Sequence, residues 1–400
     1  MEYHEAAEFL FGLRRFRSDP GTAATAALLE TLDDPHQEYD CIQIAGSNGK
    51  GSTARFLAAI LEAAGYRVGV YTSPHLENLR ERVQVNGRPI TKRRIAAYVD
   101  AVEPYITDRA ADGESPTFFE AVTGLALWQF RREDVDIAVL EVGIGGRYDA
   151  TSVVDPIASA VTNVTLEHTA VLGDTIEDIA TDKATVAPAD APLVTAATGD
   201  ALAAIHSMTG SVHRVGTDPD ADTTVAYHGH SDSLEATVDI DGPDWAVRTP
   251  ISLLGSFQAT NAGVAATLAS QVADVDESTL ATGLRATTWP GRVEVMDTDP
   301  LVVLDGAHNP GACTALADAV AEFDYDDCHL VVGAMHDKDL AGMADALPAA
   351  DTVTVCRAVV DRAADPRVLA RVFERRGDTP RIDPAVEDAV DAAVATADPT

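Results

Sequence analysis

Three observations predict an α/β protein, a P-loop-containing and doubly wound, mostly parallel sheet with a small β insertion, followed by a smaller α/β domain. Short β-branched runs alternate with helix-compatible segments, the pattern of strands joined by crossover helices. The first run enters a glycine loop, IQIAGSNGKGST at Ile42 to Thr53, and a helix-compatible stretch follows it directly. The alternation then restarts after Trp289-Pro290-Gly291, a strong chain breaker. With 400 residues, 46% of them hydrophobic, the chain is long enough for two cores. The expected domains are therefore one over residues 1–290, holding the glycine loop, and a C-terminal one over 291–400.

In order, residues 1–35 read as two amphipathic helices separated by Asp19-Pro20-Gly21, leading to a strand at Cys41 to Ala45. A helix through Ala64 and a second strand, Arg67 to Tyr71, complete one βαβ unit. Helices are expected over Thr91 to Thr107 and Thr117 to Phe130, then a continuous apolar strand from Asp136 to Leu140 that ends in Glu141. Another strand, Ile157 to Val161, stops at Thr162-Asn163-Val164, with Glu167-His168 just beyond it. A helix over Ile176 to Ala187 follows, and from Thr223 to Ser252 the period shortens to alternating stretches, which predicts an antiparallel insertion. Helical signal returns at Gln258 to Ser270. The C-terminal series has strands at Leu301 to Leu304, His329 to Val332 and Thr352 to Cys356, and an acidic helix over Asp383 to Asp398.

Composition narrows the function. Asp and Glu number 64 against 29 Lys and Arg, a formal net charge of -35, which disfavours a nucleic acid or an anionic membrane as partner. The acids are scattered, as in Asp218 to Asp222 and Asp324 to Asp327, so the excess reads as a solvated, halophilic surface. Cys41, Cys313, Cys328 and Cys356 form no C-x-x-C pair, which argues against a zinc knuckle or a disulfide framework. The start, MEYHEAAEFLFGLRRF, lacks a leader pattern, and no run of about 18 apolar residues occurs, so a soluble, cytoplasmic protein is expected. Lysine is used at only four positions, Lys50, Lys92, Lys183 and Lys338.

A glycine loop between a strand and a helix can wrap backbone N–H groups around phosphates, with a lysine reaching the outer ones. Here Gly46, Gly49, Lys50 and Gly51 supply those parts, although Ile44 stands where the strict pattern has its first glycine and Gly51 where it has Ser or Thr. The alternative is a structural turn with Lys50 solvated. Open α/β sheets bind ligands beyond the carboxyl ends of their strands, which draws Ser73 and Glu141 toward the same edge. Both offer hard oxygens to Mg²⁺, an ion that keeps phosphate and water in its shell. Read singly, His168 is an ordinary loop histidine, Lys183 a helix-surface lysine and the phenylalanines of TFFEAVTG helix core.

Taken together, AGSNGKGS, GVYTSPHLENLRERVQVNG, TFFEAVTGLALWQF, AVLEVGIGGRYDATSVVDP, LEHTAVLGDTIEDIATDKA, LLGSFQATNAG, TWPGRVEV and LDGAHNPGA resemble the folylpolyglutamate synthase and dihydrofolate synthase family, within the class that includes muramyl-peptide ligases. The resemblance implies a ligase that uses ATP and Mg²⁺ to join L-glutamate to dihydropteroate or a reduced folate. It implies an ATP loop at Gly46, Ser47, Asn48, Gly49, Lys50, Gly51 and Ser52, and metal ligands at Ser73, Glu141, His168 and Lys183, with Lys183 carbamylated. Nucleotide contacts carry over to Asn261, Arg292 and Asp305, and pteroate contacts to Thr117, Phe118, Phe119, Tyr148, Asp149 and Ala150. Lys50, Lys183 and His308 are the implied catalytic residues, His308 lying in a DGAHNP segment that positions glutamate or the intermediate. A monomer is expected.

Departures from the family pattern are Ser47 for threonine, Glu167 for the aspartate beside His168, and Ala184-Thr185 for Ala-Gly. No Gly-Ser-Leu-Tyr-like segment follows Val394, so the expectation includes a truncated chain or one part of a longer polypeptide. Competing readings are a related amino-acid ligase with another acceptor and a nucleotide-binding module without catalysis. The charge makes a separate prediction. Repulsion among so many carboxylates is screened by salt, so the melting temperature should rise between millimolar and molar KCl, and an unchanged value would overturn the halophilic reading.

Overall fold

The computed structural model describes residues 1–15 and 21–397. Asp19 and Pro20 of the expected helix break, and Asp398 of the expected final helix, lie outside the described residues. The strands are β1 (Asp40–Ala45), β2 (Val68–Tyr71), β3 (Val83–Val85), β4 (Arg88–Pro89), β5 (Ile137–Glu141), β6 (Ala158–Val161), β7 (Leu193–Thr195), β8 (Val212–Gly216), β9 (Thr223–His230), β10 (Ala236–Asp241) and β11 (Ala246–Ile251). They form one sheet of 11 strands in the order β11-β10-β9-β8-β7-β6-β1-β5-β2-β3-β4. The remaining strands are β12 (Glu294–Thr298), β13 (Leu301–Leu304), β14 (His329–Val332), β15 (Thr352–Val355) and β16 (Arg381–Ile382). β12 and β13 make an antiparallel pair, and β14-β15-β16 a parallel sheet.

The central strands are apolar runs because both of their faces are covered. Every residue of β2, β5 and β6 is buried, and β1 is buried from Cys41 onward. β1 pairs in parallel with β5 on one side and β6 on the other, with Ile44 opposite both Glu141 and Ala160. β5 pairs in turn with β2. Three loops that leave the carboxyl ends of β1, β5 and β2 are therefore neighbours along one edge.

Several elements differ from the sequence expectation. The segment after β2 folds back as the hairpin β3–β4, whose Asn86-Gly87 turn has φ of 45° and 68°, the left-handed pair that such a hairpin needs. The Asn-Gly signal was in the sequence but lay between longer helical patterns. The insertion joins the main sheet, since β9 pairs in parallel with β8. The helix expected to end at Thr107 runs over Lys92–Ala111 and continues through Pro104. Gly113, at φ 81°, closes its end by donating its amide to Ala110 O.

The chain divides into two units. One holds Met1–Ala226, Val238–Pro250 and Gln258–Thr287, and the other Tyr227–Thr237, Ile251–Phe257 and Thr288–Thr400. In the first, the core under the helices Tyr3–Gly12, Lys92–Ala111 and Phe118–Arg132 contains fully buried Leu10, Tyr71, Tyr98 and Phe130. In the second, Val355, Ala364, Leu369 and Phe373 form a separate core.

The helix Lys50–Ala63 carries the phosphate-loop lysine at its first position and buries Phe56, Leu57, Ile60 and Leu61. The helix Glu277–Ala286 lies against it so closely that a Cβ on Gly283 would collide with the Ile60 backbone. Backbone cannot yield as a side-chain tip does. Gly283→Ala should therefore destabilise the protein by about 1–3 kcal/mol, as overpacking of a well-filled interior does, measured as a lower urea midpoint; an unchanged midpoint would show that the two helices separate freely.

Candidate functional site

The glycine loop after β1 is built for close approach of its neighbours. Gly46 has φ 140° and Gly49 φ 82°, conformations that side chains rarely adopt. A Cβ on Gly46 would collide with Thr162 Oγ1, and one on Gly49 with Asn261 Oδ1. Asn163, just beyond β6, holds the loop from outside: its carbonyl accepts from Ser47 N at 2.9 Å and its Oδ1 from Asn48 N at 2.8 Å. Thr162 Oγ1 donates to Asn48 O at 2.6 Å, and Ser47 Oγ accepts from Thr165 N at 2.9 Å. Thus the loop is set by β6 as much as by its own glycines.

Two lysines meet at one carbonyl. Lys50 Nζ donates to Gly46 O at 2.9 Å and to Ser47 O at 3.2 Å. Lys183 Nζ donates to the same Gly46 O at 3.0 Å and to Glu167 Oε1 at 2.8 Å. The Lys183 side chain is only 2% exposed, so Glu167 is the counter-charge that permits a buried ammonium. Burial opposes ionisation of Glu167, but Lys183 and Lys50 together hold its carboxyl below the usual glutamate value. Burial, with Lys50 beside it, lowers Lys183 from the usual lysine value against the pull of Glu167.

Glu141 ends β5 and is 6% exposed. Its Oε2 accepts from Ser73 N at 2.9 Å, which brings the β2 and β5 loops together. His168, with φ 47°, precedes the short helix Thr169–Leu172, and its Nε2 lies 4.0 Å from Glu167 Oε2. Among the described residues no three His, Cys, Asp or Glu side chains form a ready-made metal cage. The donor set fits Mg²⁺ nonetheless, because that ion is held by one or two protein oxygens together with substrate phosphates, and Glu141 and Ser73 supply such oxygens.

The expected pteroate residues divide. Thr117 caps the helix Phe118–Arg132, and its Oγ1 donates to Glu120 Oε2 at 2.8 Å. Phe118 stacks on Phe11 with centroids 5.5 Å apart, and the guanidinium groups of Arg14 and Arg82 lie 4.8 and 5.2 Å from its ring. Arg82 Nε also donates to His75 Nδ1 at 2.8 Å; burial, then the Arg82 charge, push His75 down to about 4, so it is neutral at pH 7. Phe119 lies 6.0 Å from the Tyr71 ring and against Gly143. Tyr148 is 55% exposed, whereas Asp149 and Ala150 are buried. The Asp149 carboxylate accepts from Gly143 N, Ile144 N, Thr151 N and Thr151 Oγ1 at 2.6–3.0 Å, so it holds the loop after β5.

Asn261 stands beside Gly49 with its amide oriented by Gln258, whose Oε1 accepts from Asn261 Nδ2 at 2.9 Å. The second unit brings Arg292, Asp305 and His308 into one turn. Asp305 accepts from Val293 N at 2.9 Å and Ala307 N at 2.7 Å, Arg292 Nη1 donates to Gly291 O at 2.8 Å, and His308 Nδ1 lies 3.1 Å from Gly306 O. Burial raises the Asp305 carboxyl despite those two amides.

Sequence reasoning did not assign roles to Thr162, Asn163, Glu167 or Gln258. The first three carried one signal, polar residues where a strand stops; Gln258 carried none.

Known proteins resemble this chain over most of its length. Residues 44–269 match the Mur ligase middle domain and 291–400 the Mur ligase glutamate ligase domain. The chain is thus a member of the Mur ligase class. Within that class it belongs to the folylpolyglutamate synthase and dihydrofolate synthase family. It is 32% identical over 358 residues to the dihydrofolate synthase/folylpolyglutamate synthase of Bacillus subtilis, covering 85% of this chain and 81% of that protein. It superposes on the Mycobacterium tuberculosis folylpolyglutamate synthase complexed with ADP with a TM-score of 0.91 at 31% identity, covering 98% of this chain and 90% of the other. A probable bifunctional folylpolyglutamate synthase/dihydropteroate synthase of Halobacterium salinarum is 60% identical over 99% of this chain. The chain spans only about half of that relative, 49% of its length.

The buried pair sets a test. Removing one partner of a buried ion pair leaves the other charge uncompensated, so Glu167→Ala should cost about 3–5 kcal/mol in urea unfolding at pH 7. Because the Glu167 value is depressed on folding, its contribution is complete above the usual glutamate value and is lost as pH falls through the lower folded one. Glu167→Gln should flatten that acid limb. A wild-type limb retained in the variant would assign it to other carboxylates.

Proposed function

We propose that this chain is an ATP-dependent ligase that joins the carboxylate of a pteroate or folate to the amine of L-glutamate through an acyl phosphate. The observation that carries the reading is the convergence of Lys50 and Lys183 on Gly46 O at the end of β1, one strand from Glu141. Lys50 and a set of loop amides suit a triphosphate, not a neutral ligand. Both halves match ligase domains, so the ligase activity is the one assigned here, rather than the second activity in the name of the longer relative.

A carboxylate is a poor acyl donor until an oxygen becomes a good leaving group. In the proposed reaction a carboxylate oxygen attacks the γ-phosphorus and ADP leaves. The glutamate amine then attacks the acyl carbon, the C–O bond to phosphate breaks, and the amine gives up a proton as the amide forms. Lys50 would exchange its bonds to Gly46 O and Ser47 O for phosphate oxygens and offset the charge that moves to the leaving group. Asn163 and Thr162 hold the loop so that its amides need not reorganise. Ser73, Glu141, His168 and, as its carbamate in place of the ammonium paired with Glu167, Lys183 would hold Mg²⁺, which when bound neutralises phosphate charge. Carbamylation of Lys183 agrees with its environment, since burial and Lys50 favour the neutral amine that reacts with CO₂.

The test is ADP release from ATP, Mg²⁺, L-glutamate and dihydropteroate or a reduced folate, with amide formed in equal amount. Lys50→Ala should lower turnover at least about 100-fold, the scale of losing one transition-state donor, with an unchanged melting temperature. Full activity in that variant would remove the loop from the mechanism, and no turnover by the wild-type protein with any acceptor would refute the reading.

A further inference from the structure

The loop after β5 presents a cation that the reaction above does not use. Its backbone is held from several directions: Gly143 N and Ile144 N donate to Asp149, Gly146 N donates to Asp182 Oδ1 at 2.8 Å, and Ser152 Oγ donates to Gly146 O at 2.5 Å. A Cβ on Gly145 would collide with the Asp182 carboxylate, and one on Gly146 would press on Asp182 O and Thr185 Oγ1, so the loop has little room to rearrange. What this rigid base carries outward is Arg147 and Tyr148, both exposed. The Arg147 guanidinium lies 6.0 Å from the Tyr148 ring centroid, and among the described residues no carboxylate lies within ion-pair distance of it.

A guanidinium with no internal carboxylate can take one from a ligand, and this chain has 64 acidic against 29 basic residues. Arg67, Arg131, Arg214, Arg248 and Arg362 find one, while Arg147 shares its lack of one with other exposed arginines such as Arg88 and Arg93, so its place at the strand ends sets it apart. Position adds the second half of the argument. β5 pairs with both β1 and β2, so its loop lies between the phosphate loop and Ser73, where an acceptor must present its reacting carboxylate. Phosphate is already served by Lys50 and the loop amides. A planar guanidinium matches a planar carboxylate through paired hydrogen bonds.

We propose that Arg147 is a specificity-determining residue that binds the α-carboxylate of an acceptor already ending in glutamate, and so presents its γ-carboxylate for phosphorylation. The inference rests on the ligase reading. An acceptor ending in glutamate has two carboxylates, and the reacting one must be chosen; dihydropteroate has only one. Arg147 therefore acts on chain extension and not on the first glutamate addition. The Tyr148 ring beside the guanidinium limits the directions it can take.

The experiment compares wild type, Arg147→Gln and Arg147→Lys with three acceptors: dihydropteroate, a reduced folate, and the reduced folate analogue whose glutamate is replaced by 4-aminobutyrate, which keeps the γ-carboxylate and lacks the α one. In Arg147→Gln the KM for the folate should rise roughly tenfold or more, the scale of a lost charged hydrogen-bonded pair, while the KM values for dihydropteroate, the analogue and ATP stay within about twofold. Arg147→Lys should recover part of the loss, because it restores the charge without the fork. An equal change for folate and analogue, no change for either, or a wild-type enzyme that uses dihydropteroate alone would overturn the proposal. Absence of turnover by wild type with every acceptor would instead refute the ligase reading itself. An unchanged melting temperature and ADP affinity exclude misfolding as the cause.

Discussion

The carbonyl of Gly46 is where the constraints on this structure meet. It lies at the carboxyl end of a fully covered strand and accepts bonds from two ammonium groups. Two like charges can share one oxygen only if a carboxylate offsets them, and Glu167 does so at 2.8 Å from Lys183. The loop must then be glycine at Gly46, since a side chain would occupy the place of the Thr162 hydroxyl. Sheet order follows from the same need. β6 must lie beside β1 to deliver Thr162, Asn163 and Glu167, and β5 must lie on the other side to deliver Glu141.

The chain is strongly acidic, yet at the end of β1 two ammonium groups meet one carbonyl. The negative charge is spread over the exposed surface, where solvent and salt screen it. Lys183 and Lys50, by contrast, sit at buried or partly buried positions, where each charge counts for more. Lys183 is nearly inaccessible, and Lys50 is bonded to its own loop. In the proposed reaction a ligand phosphate would replace backbone carbonyls as the partner of Lys50.

The loop after β5 shows the same economy of means. Asp149 looks like a ligand-binding carboxylate from its place in a motif, yet four donors from its own loop occupy it. Its contribution is to hold Gly143 to Gly146 still. Exposure then passes to Arg147 and Tyr148. Phe118 is similar, because it packs on Phe11 with two guanidinium groups over its ring and belongs to the core.

Much of this could be read from the chain alone. Alternating apolar runs and glycine breaks determine that it is α/β, because periodicity and turn chemistry are local, and the glycine loop, Ser73 and Glu141 could be placed at strand ends by the same logic. The Asn86-Gly87 hairpin and the joining of the insertion to the main sheet depended on which neighbour each strand found, which local pattern does not encode. The site itself was decided by tertiary structure. Lys183 reaches Gly46 across 137 positions of sequence, and Asn48 meets Asn163 across 115. No periodicity or propensity links residues so far apart. Whether Glu167 is a solvated acid or the counter-charge of a buried lysine, and whether Asp149 faces a ligand or its own loop, is settled by burial and by which donors the packed sheet brings within hydrogen-bond distance.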